Sequence, residues 1–224
     1  MNKPSLREQT DAQIEKTRQA NPEFMESVDD IIASARKFKT GAGAVSVGRM
    51  APQFTLPDAR GKLISLKELR AKGPLVVTFY RGGWCPYCNL QLRALQAELP
   101  EIRNLGAELV AISPQKPDES LSQTEKTSLD FHVLSDQDAR VASEYGVAWN
   151  VPERLLAHMR DDRKLDLESI NDGNGNILPI PATFVLDRQG SVVWSFVEVD
   201  YRQRAEPGDI IKVLEKLSLA ERHD

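Results

Sequence analysis

Apolar positions along the chain repeat with two different periods. Phe24, Val28, Ile31, Ile32, Ala35 and Phe38 recur at spacings of three and four, which is one face of a helix. Asn21-Pro22-Glu23 ahead of them supplies a cap and a proline for the first turn. From Pro52 the apolar runs shorten. Asp58-Ala59-Arg60-Gly61 reads as a turn, with Leu63, Ile64 and Leu66 extended after it. Leu75 to Tyr80 is apolar on both faces, as in a central strand. Leu92, Leu95, Leu99, Ile102 and Leu105 restore a helical stripe that stops at Gly106. Leu109 to Ser113 is a second buried strand, Asp118 to Ser128 a polar surface helix, and Phe131 to Leu134 a third strand. Ala139 to Tyr145 makes a short helix closed by Gly146.

A strand followed by a helix, twice over, implies βαβ units with parallel strands. The last third differs. Thr183 to Asp187 and Ser191 to Phe196 flank Arg188-Gln189-Gly190 as a hairpin, and Glu206-Pro207-Gly208-Asp209 opens a final helix through Ile210, Ile211, Val213, Leu214 and Leu217. The class is therefore α/β, a mixed central sheet flanked by helices, and the order resembles the thioredoxin-like arrangement. Residues 1–48 form an N-terminal helical extension and linker. Residues 49–224 form the domain, with a charged, loop-rich insertion at about 149–178 that shows no strong period. The linker's Gly41-Ala42-Gly43 lacks the third glycine and the preceding strand of a dinucleotide fingerprint.

Composition narrows the class further. At 41% hydrophobic residues the chain can bury an ordinary core, and a net charge of −4 leaves no basic footprint for nucleic acid. No apolar run is long enough to cross a bilayer, and the N-terminal residues lack the apolar core of a signal peptide, so a cytoplasmic location is expected.

The chemistry lies in Phe79-Tyr80-Arg81-Gly82-Gly83-Trp84-Cys85-Pro86-Tyr87-Cys88, which holds both cysteines of the chain. Strand, Gly-rich turn and Cys-x-x-Cys at a helix start is the layout of a thiol–disulfide site. Unpaired N–H groups and partial positive charge at a helix N-terminus favour thiolate over thiol. Zinc would need four ligands, and His132, His158 and His223 stand at no finger-like spacing, so no metal and no other cofactor is expected. Asp172-Gly173-Asn174-Gly175-Asn176 lacks the terminal Glu of a calcium loop and reads as a turn.

From about Arg49 to Leu217 the chain resembles the peroxiredoxins, the alkyl hydroperoxide reductase C and thiol-specific antioxidant family, in particular a subgroup with Cys-Pro-x-Cys. The resemblance rests on Pro52 to Asp58 with Gly61, on Phe79 to Cys88, and on Pro181 to Asp187 with Gly190. The family's Phe-Tyr-Pro and Thr-x-x-Cys pattern, laid on Phe79-Tyr80, puts Cys88 at the position that attacks peroxide. Cys85 then stands for the threonine and Arg81 for the proline. The family's distant arginine corresponds to Pro181, the place of the cis-proline in thioredoxins, where an X-Pro bond tolerates cis.

The resemblance implies a thiol peroxidase acting on hydrogen peroxide or organic hydroperoxides, with Cys85 as the resolving thiol and a thioredoxin-like dithiol as reductant. Under thioredoxin logic Cys85 attacks instead, and the protein is a thiol–disulfide oxidoreductase; a non-enzymatic redox sensor is a third reading. Arg81 either supplies the missing positive charge or lies on the surface. Arg204, in Tyr201 to Pro207, either folds back to the active-site end or is a solvated loop charge. Trp84 shields the dithiol and shapes a docking surface. The helical extension fits a homodimer.

Overall fold

A computed structural model describes residues 4–116, 129–173 and 175–220. The polar helix expected over Asp118 to Ser128 lies outside the described residues, as does Asn174 of the Asp-Gly-Asn-Gly-Asn turn.

The N-terminal extension is two helices. Helix α1 (Leu6–Ala20) opens with a capping box between Ser5 and Glu8, and α2 (Pro22–Lys37) with the Asn21 side chain accepting the Phe24 N–H at 3.2 Å. Both caps satisfy amide groups that a helix start leaves bare. Met25, Val28, Ile32 and Ala35 form the buried face of α2. Phe38 departs from the expected stripe: the helix stops at Lys37, and Phe38, in the capping position, is 77% exposed.

A small hairpin of β1 (Thr55–Pro57) and β2 (Leu63–Ser65) leads through α3 (Leu66–Arg70) into β3 (Leu75–Phe79). Then follow α4 (Pro86–Asn104), β4 (Glu108–Ser113), β5 (His132–Ser135) and α5 (Arg140–Glu144). The hairpin β8 (Ala182–Leu186) and β9 (Val192–Val197) and helix α8 (Pro207–Ala220) complete the domain. The sheet runs β5-β4-β3-β8-β9, with β3, β4 and β5 parallel and β8 and β9 antiparallel. β3 is central and wholly buried.

Alternation along β3 divides the core. Leu75, Val77 and Phe79 pack in one cluster with α3 and α5, whereas Val76 and Tyr80 join the cluster of α4, α8 and α2 on the other face. Thr78 shares that second face. Its hydroxyl meets Thr183 Oγ1 at 3.0 Å and accepts Gln91 Nε2 from α4 at 3.0 Å, which ties β3, β8 and α4 together where the cysteine-bearing turn begins.

The insertion is more ordered than its sequence pattern implies. β6 (Ala148–Asn150) pairs antiparallel with β7 (Ile177–Pro179), and between them lie α6 (Glu153–Ala157), a wide turn over His158–Asp162 and α7 (Leu167–Asn171). Leu155, Leu156, Met159 and Leu167 are buried, so the segment folds against the domain through scattered apolar residues.

Candidate active site

The chain leaves β3 at Tyr80 and turns through Arg81-Gly82-Gly83-Trp84 into α4. Gly82 has φ +148, and a side chain there would collide with the Trp84 indole. Gly83 N–H donates to Gln115 Oε1 at 2.8 Å, and Asn89 Nδ2 donates to the Gly83 carbonyl at 2.8 Å. The turn is thereby pinned from the segment after β4 and from α4. Cys85 is the capping residue of α4, Pro86 its first position, and Cys88 lies in its first turn, which contains no acidic residue. The α4 dipole therefore acts on Cys88 without opposition from a neighbouring carboxylate of that turn.

Both thiols are free and buried, Cys85 at 1% and Cys88 at 0% exposure. Arg204 Nη2 donates to Cys88 Sγ at 3.2 Å. The rest of that guanidinium is fixed by Nη1, which donates to the Tyr201 and Gln203 carbonyls. Burial alone would push the Cys88 thiol up. A hydrogen bond from Cys85, the Arg204 charge, the Arg81 amide and the Arg81 charge outweigh it and hold Cys88 well below the ordinary thiol range. Cys85 moves the opposite way, pushed well up by burial and by its hydrogen bond to the Cys88 sulfur. The two shifts run in opposite directions, so Cys88 is the thiol of the pair that ionises more readily.

Arg81 is 2% exposed, so it is not a surface residue. Its Cζ lies 4.2 Å from the Tyr201 ring centroid and 5.1 Å from that of Trp84, a cation held between two aromatic faces. Its Nε and Nη2 are buried without a hydrogen-bond partner. Arg204 is likewise buried at 7%, not a solvated loop charge. The loop that carries it is anchored by Arg202, which grips Asp200 through Nε at 2.8 Å and Nη2 at 3.0 Å and reaches Asp29 of α2 through Nη1 at 2.7 Å.

Pro181 is buried directly before β8, beside the β3 register pair Phe79 and Ala182. No peptide bond among the described residues is cis, so Ile180–Pro181 is trans and the thioredoxin-type cis-proline is not reproduced. Trp84 is half-buried and lines a cavity of about 270 Å³ beside the dithiol. Phe24 and Met25 of α2, Leu155 and Met159 of the insertion, and Cys85 also line it.

Residues 47–195 match the model of the AhpC/TSA family. The chain belongs to that family. Among relatives, it is 32% identical over 148 residues to "Peroxiredoxin Q, chloroplastic" of Gentiana triflora, covering 66% of this chain and 57% of the relative. It is 33% identical over 103 residues to "Peroxiredoxin Bcp" of Escherichia coli, covering 46% of this chain and 65% of the relative. The matched part thus spans less than two thirds of either of these relatives. The solved structure of peroxidoxin BcpB from Mycobacterium tuberculosis superposes with a TM-score of 0.60 at 21% identity, over 77% of this chain and 98% of that one. The fold is the thioredoxin-like α/β fold of this family.

The family match begins at residue 47, so α1 and α2 lie outside it. Their contribution to the cavity wall was not predicted from sequence. Nor were Tyr201, which lies under Arg81, or Arg163, whose Nη2 donates to the Trp84 carbonyl at 3.3 Å. Tyr201 stands in the same short string as Arg204, which is the one sequence signal that pointed toward it.

Proposed function

We propose that the protein is a thiol peroxidase in which Cys88 attacks the hydroperoxide and Cys85 resolves the product. The observation that carries this is the buried contact of Arg204 Nη2 with Cys88 Sγ at 3.2 Å. Family membership supports the reaction class. The thiolate is the nucleophile in such chemistry, and the polarity of this pair puts it on Cys88. Cys88 sulfur takes the terminal oxygen of the peroxide as the O–O bond breaks. The hydrogen stays on that oxygen, giving a sulfenic acid, and the departing alkoxide or hydroxide takes a proton from water. The Cys85 thiol then condenses with the sulfenic acid, forming the disulfide and releasing water.

Arg204 and Arg81 fill the electrostatic place of the family arginine, whose position here is Pro181. Because both sulfurs are occluded, a neighbouring group must move before peroxide touches Cys88. The disulfide then needs an external donor, for which the resemblance gives a thioredoxin-like dithiol. A homodimer in a reducing cytoplasm completes the proposal.

Stopped-flow consumption of hydrogen peroxide by the reduced protein tests it. The expected rate exceeds that of free cysteine by orders of magnitude, and a rate no faster than free cysteine removes the peroxidase reading. A thiol–disulfide oxidoreductase is the second reading, favoured by one observation: the cavity ends on Cys85 and not on Cys88. Reduction of insulin by the dithiol form would support it, although the raised pKa of Cys85 makes that thiol a poor attacker.

A further inference from the structure

The cavity beside the dithiol is chemically one-sided. Two arginines, Arg81 and Arg163, stand in its wall, and among the described residues no Asp or Glu does. Its remaining surface is mostly apolar or aromatic, with Phe24, Met25, Trp84 and Leu155 prominent. Arg81 is buried with two nitrogens unpartnered and no carboxylate partner among the described residues, although desolvating a guanidinium without an anion is costly. Arg204 stands against Cys88 Sγ at 3.2 Å, whereas Arg81 has no anionic group against it among the described residues.

The sulfur this cavity reaches is that of Cys85. Its walls come from the two N-terminal helices, the start of α4 and the insertion, which leaves about 270 Å³, room for a small molecule and not for the loop of a protein dithiol. We propose that this cavity is the entry site for the reductant, a low-molecular-weight thiol carrying a carboxylate, which attacks Cys85 of the oxidised protein. The inference rests on the Cys85–Cys88 cycle proposed above and replaces only its reductant, the thioredoxin-like dithiol that the resemblance implies.

The chemistry balances with two equivalents of donor. The donor thiolate attacks Cys85 Sγ, forming a donor–Cys85 mixed disulfide. The Cys85–Cys88 bond breaks and its electron pair goes to Cys88, which leaves as the thiolate that Arg204 already accommodates. A sulfur with a stabilised thiolate is the better leaving group, so attack at Cys85 is the favoured direction. A second donor thiolate attacks the donor sulfur of the mixed disulfide. The symmetric donor disulfide departs, and the Cys85 thiolate takes a proton. Through the whole exchange the donor carboxylate faces Arg81 and Arg163.

The test uses the full-length protein carrying the Cys85–Cys88 disulfide, prepared once with hydrogen peroxide and once with a chemical oxidant that needs no peroxidase activity. Reduction is followed by tryptophan fluorescence with glutathione, 2-mercaptoethanol and a thioredoxin as donors, each rate corrected for its thiolate fraction. The expected result is saturation with glutathione and a corrected rate at least tenfold above 2-mercaptoethanol. Arg163→Gln is expected to lower that ratio about tenfold, and Arg163→Lys to restore part of it. In Cys88→Ser, glutathione disulfide is expected to leave one glutathione on Cys85 by mass spectrometry. Rates that follow thiolate concentration alone, without saturation or response to Arg163, overturn the proposal. So does a thioredoxin that outpaces glutathione in wild type and Arg163→Gln alike. Failure of the peroxidase reading appears separately, as an inability of hydrogen peroxide to form the disulfide that the chemical oxidant forms.

Discussion

Replacing Arg204 by Gln tests the electrostatic core of the site. Arg204 is bonded to Cys88 Sγ at 3.2 Å with both residues buried, so water screens the contact little. A hydrogen bond to a charged partner contributes about 1.5–3 kcal/mol, which at about 1.36 kcal/mol per decade is a 10- to 150-fold change in the thiolate–thiol balance. The Cys85 hydrogen bond and the Arg81 charge remain, so the Cys88 pKa rises without returning fully to that of a desolvated thiol. Cys88 is depressed in the wild type, so its thiolate persists as pH falls until the pH passes the lowered pKa. In Arg204→Gln that loss begins at higher pH. On the acid limb the peroxide rate should therefore fall about 10- to 150-fold, while at alkaline pH the two proteins converge. Ultraviolet absorbance of the thiolate across pH, beside stopped-flow peroxide consumption, reads both quantities.

Arg204 also braces its loop by donating to the Tyr201 and Gln203 carbonyls, so Arg204→Lys serves as the control that keeps the charge. The lysine variant should lie between wild type and glutamine on the pH axis. A pH profile of Arg204→Gln superimposable on the wild type would refute the reasoning, because the contact would then not be stabilising the thiolate.

Other substitutions separate the remaining parts. Cys88→Ser should abolish peroxide consumption, whereas Cys85→Ser should permit one turnover and leave a sulfenic acid detectable by trapping and mass spectrometry; the reverse pattern would assign attack to Cys85. Asp29→Asn should destabilise the protein by about 1 kcal/mol in urea, since Arg202 keeps Asp200 and the pair is partly exposed. Although burial opposes it, the Arg202 and Arg18 partners hold Asp29 below its ordinary value, so its contribution is present at neutral pH and lost as acid protonates it. The variant should therefore show a flatter acid-side stability curve. Thr78→Val removes the 3.0 Å acceptor of the Gln91 amide, leaving it Thr183 Oγ1 at 3.5 Å, and should cost about 1–3 kcal/mol by urea denaturation. Gly146→Ala should destabilise the protein and lower its melting temperature, because φ is +70 there and the new methyl meets the backbone of Gly43 in the linker.

Local pattern and long-range burial contributed differently to what the sequence could disclose. The strands β3, β4, β8 and β9 and helices α2, α4 and α8 follow from apolar periods that each lie within a few consecutive residues, so one window shows them. Cys85 and Cys88 are legible for the same reason, being three apart at a helix start. Arg204 is not: it meets Cys88 across 116 residues of chain, and an arginine in a short aperiodic string reads the same in solvent or in a core. What decides its fate is the Arg202, Asp200 and Asp29 cluster, which crosses 173 residues to α2. The insertion was misread for a related reason. Leu155, Leu156, Met159 and Leu167 bury through two short α-helices and the wider turn between them, so no single period could register them. The extension that binds Arg202 also walls the cavity at Cys85. Truncating α1 and α2 would therefore remove both the Asp29 anchor of the Arg204 loop and one face of the donor port, and peroxide attack and disulfide recycling should weaken together.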